Sequence, residues 1–322
     1  MGGSLEDRLE RLARLREGDL DEGAVADLRS ALRSGNNALV AAGAEATARC
    51  HATECVEELV SAFDRSMDAP GRDKGCLGKT AVVRALNRLG HDGADLFLRG
   101  AGHVQMEPVY GGQEDAAPDL RCECAVALVR TGHPDLFRVL TDLLFDSEPG
   151  PRRTAVEALR RLGGAESELL LRARALAGDA ETSVTGNCFL ALLGLDPCAA
   201  LPFVARFLDA DAAAVAEEAA LALGESRRPE ALELLRSRWD ASVRAEEKDR
   251  LLLPIALTRQ EEAFEFLLRL VREAPQERAV AAVEALHLYD NGGERRRRVE
   301  RAVRERNAAA VTRACRQTFN PR

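Results

Sequence analysis

The stretch Asp146-Ser-Glu-Pro-Gly-Pro-Arg-Arg-Thr-Ala-Val-Glu-Ala-Leu-Arg-Arg-Leu-Gly-Gly164 decides the fold. Pro149-Gly150-Pro151 sets a turn, because proline fixes φ and lacks an amide hydrogen, and Pro151 suits the first turn of a following helix. Ala155, Val156, Leu159 and Leu162 then recur at helical spacing on one face, with Arg152, Arg153, Glu157, Arg160 and Arg161 on the other, and Gly163-Gly164 ends the helix. So short an amphipathic helix cannot bury its stripe alone. The unit predicts a stacked α-helical array in which each helix shields its neighbours.

The same pattern recurs along the chain. It reads Ala81-Val-Val-Arg-Ala-Leu-Asn-Arg-Leu-Gly90, Cys124-Ala-Val-Ala-Leu-Val-Arg-Thr-Gly132, Cys188-Phe-Leu-Ala-Leu-Leu-Gly-Leu195, Glu218-Ala-Ala-Leu-Ala-Leu-Gly224 and Ala282-Val-Glu-Ala-Leu-His-Leu288, and more loosely Pro254-Ile-Ala-Leu257. A second short apolar segment follows most of these, as at 136–144, 168–176, 200–208, 229–235 and 263–271. The unit is therefore helix, turn, helix, at a spacing of about thirty residues. Four more helices are expected before Gly75, the first of them ended by Gly18-Asp19.

Asp146, Pro149, Arg152, Ala155, Val156, Ala158 and Leu159 form an acid, a turn, an arginine and an Ala-Leu core. This pattern resembles HEAT repeats, in particular the short HEAT-like class of the phycobilin lyases, over roughly Gly75 to Asn291. The resemblance implies an all-α solenoid of stacked antiparallel helix pairs. It also implies a ladder of acid and arginine between repeats, for which Asp119 and Arg121 are placed, whereas Thr182-Ser-Val184 and Ala212-Ala-Ala214 lack the arginine. The expected organisation is an N-terminal helical cap at 1–74, repeats at 75–292 with an insertion near 99–117, and a basic C-terminal cap at 293–322, in one continuous solenoid.

Composition bounds the function. Of the 322 residues, 46% are hydrophobic, 30% are charged and only 4% are aromatic, so the core is built of Ala, Leu and Val, which suits packed helices better than sheets. A net charge of −8 argues against general nucleic-acid binding, which depends on neutralising phosphates. The one basic candidate is the run from Glu294 to Arg306, whose interleaved Glu residues read as a solvated terminal helix. Eight scattered Cys and no signal peptide point to buried thiols in a reducing cytoplasm, with neither disulfides nor metal. Cys50, His51 and Cys55, like Cys122 and Cys124, fall on different helix faces at their spacings. No apolar run reaches the length of a membrane span.

The period stretches once, at Arg99-Gly-Ala-Gly-His-Val-Gln-Met-Glu-Pro-Val-Tyr-Gly-Gly-Gln-Glu-Asp115. Val104, Met106, Val109 and Tyr110 give this insertion something to pack with, so it is expected to be an ordered loop over the array. The alternative is a lengthened second helix and a plain surface excursion. Lys79, Arg99, His103, Gln105, Glu107, Tyr110, Asp115 and Arg121 are the candidate partner-binding residues, and no spacing among them demands catalysis. Gly75-Cys-Leu-Gly-Lys-Thr80 has the ending of a phosphate loop, but Asp73 stands where the first glycine belongs and no strand precedes it, so it reads as a helix start.

The leading functional reading is a non-enzymatic scaffold that binds a protein or peptide without a cofactor, on a concave surface lined by the second helices. The resemblance leaves a second one: an enzyme or enzyme subunit of the bilin-lyase or DNA-glycosylase kind. A glycosylase would want a basic groove and aromatic residues, and this chain has a single Trp and an acidic balance.

Overall fold

The computed structural model describes residues 4–16, 18, 20–290 and 293–319. Asp19 and Asn291, named above as a helix end and a repeat boundary, lie outside the described residues. The protein is an all-α solenoid carrying one small hairpin, and it divides into two compact units, Met1–Leu162 and Gly163–Arg322.

The first unit begins with α1 (Leu5–Arg14), α2 (Glu22–Leu32), α3 (Asn37–Arg49) and α4 (Val56–Asp68). The first three start at side-chain caps. Ser4 and Asp7 form a reciprocal capping box on α1, Asp21 accepts from Ala24 N at α2, and Asn36 accepts from the amides of Ala38 and Leu39 at α3. Then come α5 (Leu77–Arg88), α6 (Ala94–Ala101), the strands β1 (Met106–Val109) and β2 (Gly112–Asp115), α7 (Pro118–Thr131), α8 (Leu136–Leu144) and α9 (Pro149–Leu162). The stack runs α3 on α5, α5 on α7 and α7 on α9, with α4, α6 and α8 as the second helices of successive pairs. Each first helix buries the repeated core: Ala81, Val82, Ala85 and Leu86 in α5, Cys124, Ala125, Ala127 and Leu128 in α7, and Ala155, Val156, Ala158 and Leu159 in α9. The period read from the sequence is thus the period of burial. The turn before α9 differs from expectation, because Pro149 and Pro151 both lie inside the first helical turn and residues 146–148 make the bend.

The second unit contains α10 (Gly164–Ala177), α11 (Thr182–Leu195), α12 (Pro197–Ala205), α13 (Ala213–Glu225), α14 (Pro229–Ala241), α15 (Ala245–Arg250), α16 (Leu252–Leu257), α17 (Glu261–Glu273), α18 (Gln276–Leu286), α19 (Glu294–Arg306) and α20 (Ala309–Phe319). Its first helices again stack in series: α11 on α13, α13 on α16, α16 on α18 and α18 on α20. The basic helix α19 is not the freely solvated element that its charge suggested. Val299, Ala302 and Val303 are buried, Arg295 and Arg298 pair with Glu261 at 2.7 and 2.9 Å, and the same two guanidinium groups lie over the Phe264 ring. Its alternating signs serve docking on α17.

Among the described residues no helix is long and apolar enough to cross a membrane, and no group of three His, Cys, Asp or Glu side chains is arranged to hold a metal ion.

Candidate functional site

The insertion is a β-hairpin, a more regular structure than the loop its composition predicts. β1 and β2 run antiparallel with Met106 opposite Asp115, Glu107 opposite Glu114, Pro108 opposite Gln113 and Val109 opposite Gly112. Tyr110-Gly111 forms the tip, where Gly111 has φ +91°, a conformation that side-chain-bearing residues rarely adopt. Ala116 N donates to Gln105 O at 2.8 Å and continues the ladder below the strands.

Two buried polar clusters hold the hairpin to the helices. The first is centred on Asp73 and Lys79, which are 2% and 0% exposed. Asp73 lies just before α5 and caps it, its carboxylate accepting from Gly78 N at 2.8 Å and Lys79 N at 3.0 Å. The Lys79 ammonium lies 3.5 Å from Asp73 Oδ2 and donates to Gln105 Oε1 at 2.7 Å and to Ser66 O at 3.4 Å. Gln105 uses its whole amide. Oε1 accepts from Lys79 and lies 3.3 Å from His103 Nε2, while Nε2 donates to Asp73 O at 2.9 Å and to Glu107 Oε1. Because that oxygen cannot donate, the contact fixes Nε2 as the protonated nitrogen of His103. Burial lowers the His103 pKa, and the Gln105 contact opposes that shift. Glu107 also accepts from Gly75 N at 2.8 Å, and the Gln105 amide, with Gly75, lowers its pKa.

The second cluster is centred on Arg121, 2% exposed. It donates to Asp115 Oδ2 at 2.6 Å and His103 O at 2.9 Å, and grips Asp146 through Nε at 2.7 Å and Nη2 at 2.8 Å. Asp115 in turn accepts from Gln105 N at 3.0 Å and Ala117 N at 2.9 Å. The expected ladder partner Asp119 is therefore replaced by Asp115 and Asp146. In each case the acid stands six residues before the cation of its own repeat, as Asp73 before Lys79, Asp115 before Arg121 and Asp146 before Arg152. This spacing places the acid in the turn, where its carboxylate accepts backbone amides, and the cation at the third or fourth residue of the helix, within its first turn.

Seven of the eight sequence-predicted residues thus belong to the hairpin or its mooring. Arg99 does not: it pairs with Asp64 at 2.8 Å and lies over Phe63. Lys79, Gln105, Asp115 and Arg121 are buried or nearly so and committed, so they position the hairpin rather than meet a partner. Tyr110 is fully exposed. Sequence reasoning missed Asp73 and Asp146 as mooring groups, although the repeated six-residue spacing was available. It also missed the alternation Val104-Gln-Met-Glu-Pro108, which marks a strand. The alternation is inverted: Gln105 and Glu107 turn to the protein, whereas Val104, Met106 and Pro108 are exposed. Beside β1, a cleft of about 380 Å³ is lined by Pro70, Lys74, Val104, Met106 and Pro108, among others.

The model of the HEAT-repeat family matches residues 112–184, which contain β2, α7, α8, α9 and α10 and hence two of the three six-residue acid–cation spacings. The chain is a HEAT-like repeat protein. Among solved structures, this HEAT-like protein is similar to human deoxyhypusine hydroxylase in complex with glycerol (20% identity, 80% of this chain and 91% of the other, TM-score 0.31). It is also similar to the CpcE–CpcF complex of phycocyanin lyase from Nostoc sp. PCC7120 (15% identity, 90% and 97%, TM-score 0.34). An engineered protein is similar as well (15% identity, 98% and 93%, TM-score 0.35). No curated protein matches the sequence.

Proposed function

We propose that this HEAT-like protein is a non-enzymatic interaction scaffold that binds a protein or peptide through the hairpin of residues 104–115. The observation that carries the reading is the inverted alternation of β1. A strand normally turns its apolar face inward, yet here polar side chains anchor it and Val104, Met106, Val109 and Tyr110 are 59%, 51%, 40% and 108% exposed. An apolar surface on a rigid mount limits the ordering cost of association, and Tyr and Met are enriched at interfaces. The enzymatic alternative has less support, because the acid, base and cation types needed for chemistry are already engaged, Lys79 by Asp73 and Gln105 and Arg121 by Asp115 and Asp146.

The test is affinity capture from the native host with the full chain and with the triple variant Met106→Ser, Val109→Ser, Tyr110→Ser. The variant should melt within a few degrees of the parent, since exposed positions contribute little to stability. It should also lose a discrete polypeptide that the parent retains. Retention of the same polypeptides by both proteins overturns the reading.

A further inference from the structure

The hairpin has two edges, and they are unequal. The Ala116 N to Gln105 O bond fixes the parity of the ladder, because paired residues alternate between bonded and non-bonded positions. Gln105 thus faces Ala116 at a bonded position, Ala116 N donating to Gln105 O while the Gln105 amide is taken by Asp115 Oδ1, and by the same parity Glu107 pairs with Glu114 and Val109 with Gly112 at bonded positions. Met106 and Pro108 therefore direct their backbone groups outward from β1, and Gln113 and Asp115 direct theirs outward from β2. The β1 edge is defended, since Pro108 has no N–H to offer and the cationic Lys74 stands in the cleft alongside. The β2 edge has neither device. Its outward amides and carbonyls at Gln113 and Asp115, about 7 Å apart at the rise of a strand, have no backbone partner among the described residues.

We infer that β2 is a docking edge for an extended, basic segment of a partner polypeptide, which adds to the hairpin as a third strand. This inference rests on the hairpin being the interaction surface and specifies how it is used. Backbone bonds to Gln113 and Asp115 supply the geometry of strand addition, and alternate side chains of the incoming strand read the surface beside it. The charge of that surface selects the partner. Glu114 and, four residues beyond the strand, Asp119 are exposed and have no ion-pair partner among the described residues, whereas the nearby cations Lys79 and Arg121 are buried. Lysine or arginine in the incoming strand meets uncompensated carboxylates, and an acidic strand is repelled.

The test uses the full chain and a short fluorescent peptide alternating lysine and valine, with two comparison peptides: glutamate in place of lysine, and N-methylation of the amides on one edge. Anisotropy should show saturable binding of the basic peptide, with at least about tenfold weaker binding for the acidic and the edge-methylated peptides. In the protein, Gln113→Pro removes one outward N–H without removing a bond internal to the hairpin and should also weaken binding about tenfold, whereas Gln113→Ala, which keeps that N–H, should stay within about twofold. Hydrogen exchange on the unaltered protein should show the Gln113 and Asp115 amides becoming protected on binding, which keeps the result independent of how the proline variant folds. Equal binding of the acidic or edge-methylated peptide, unprotected outward amides, or no binding at millimolar peptide overturns strand addition. If peptide binding survives Gln113→Pro but is lost in the Met106, Val109, Tyr110 triple variant, strand addition falls and the hairpin surface stands. If neither variant affects it, both readings fall.

Discussion

Replacing Gln105 by Ala tests whether the hairpin is moored as described. Gln105 is 7% exposed and makes four side-chain polar contacts, so water cannot readily take its place. The main loss is the 2.7 Å bond from the buried Lys79 ammonium, whose remaining oxygen neighbours lie at 3.4 and 3.5 Å. A hydrogen bond to a charged group contributes about 1.5–3 kcal/mol, and stranding the Asp73 carbonyl adds about 1 kcal/mol. Glu107 is partly exposed and recovers solvent, so its lost contact adds little. The expected destabilisation is about 3 kcal/mol, read as a lower urea midpoint by circular dichroism, with the slope unchanged. Gln105→Glu separates the contributions. It restores an acceptor, now charged, for Lys79, but supplies no donor for Asp73 O and places a carboxylate against Glu107, so at neutral pH it should fall between the parent and Gln105→Ala. A cost below about 0.5 kcal/mol for Gln105→Ala, or a Gln105→Glu variant more stable than the parent, would refute the mooring.

Three further outcomes are expected. Leu159→Ala should cost about 2–5 kcal/mol in the same urea assay, because Leu159 is completely buried where α9 packs on α7 and α8; a cost under about 1 kcal/mol contradicts the repeat register. Acid should destabilise in two steps. His103 has a folded pKa below its unfolded value, so its contribution is complete above about pH 6.5 and fades as pH falls toward its depressed value. Glu107, Asp115, Glu157 and Glu261 are also depressed, Glu157 to about 2 by Arg160 and Arg161, so the stability they add above about pH 4.3 is lost below it. Melting temperatures that rise on acidification from pH 7 to 3 would contradict both signs. Thiol labelling should modify exposed Cys198 first, while burial pushes the Cys188 thiol up to about 12 and that of Cys76 to about 11, so these should react only on unfolding; mass spectrometry of the labelled sites reads the order.

The helices were legible because their burial repeats at helical spacing, and Leu86, Leu128 and Leu159 occupy one recurrent core position. The hairpin was legible as an interruption but not as strands. Its residues have the period of a strand with the polarity reversed, and reversed polarity makes sense only once Lys79, the Asp73 carbonyl and the Gly75 amide are known to lie beneath Gln105 and Glu107. Those groups come from a turn some thirty residues earlier, and no local pattern reports such a distance. Lys79 illustrates the same limit. Its position near the insertion marked it for recognition, but a lysine in contact with a capping carboxylate and an amide oxygen serves burial instead. Arg121 was identified, yet Asp119 was taken as its partner, because proximity in sequence is a poor guide to which of several acids a guanidinium can reach.

The double grip of Arg121 has a consequence for synthesis on the ribosome. Its near partner Asp115 precedes it in the chain, but Asp146 follows it by 25 residues, less than one repeat. While the nascent chain ends between these two points, the hairpin can form, but the guanidinium beneath it has only one carboxylate. Translation of the next turn supplies the second. The base of the hairpin therefore matures one step behind its tip, and a ribosome stalled when the chain has emerged beyond Arg121 but not Asp146 should expose a hairpin that protease still cuts, whereas one stalled after α9 has emerged should not.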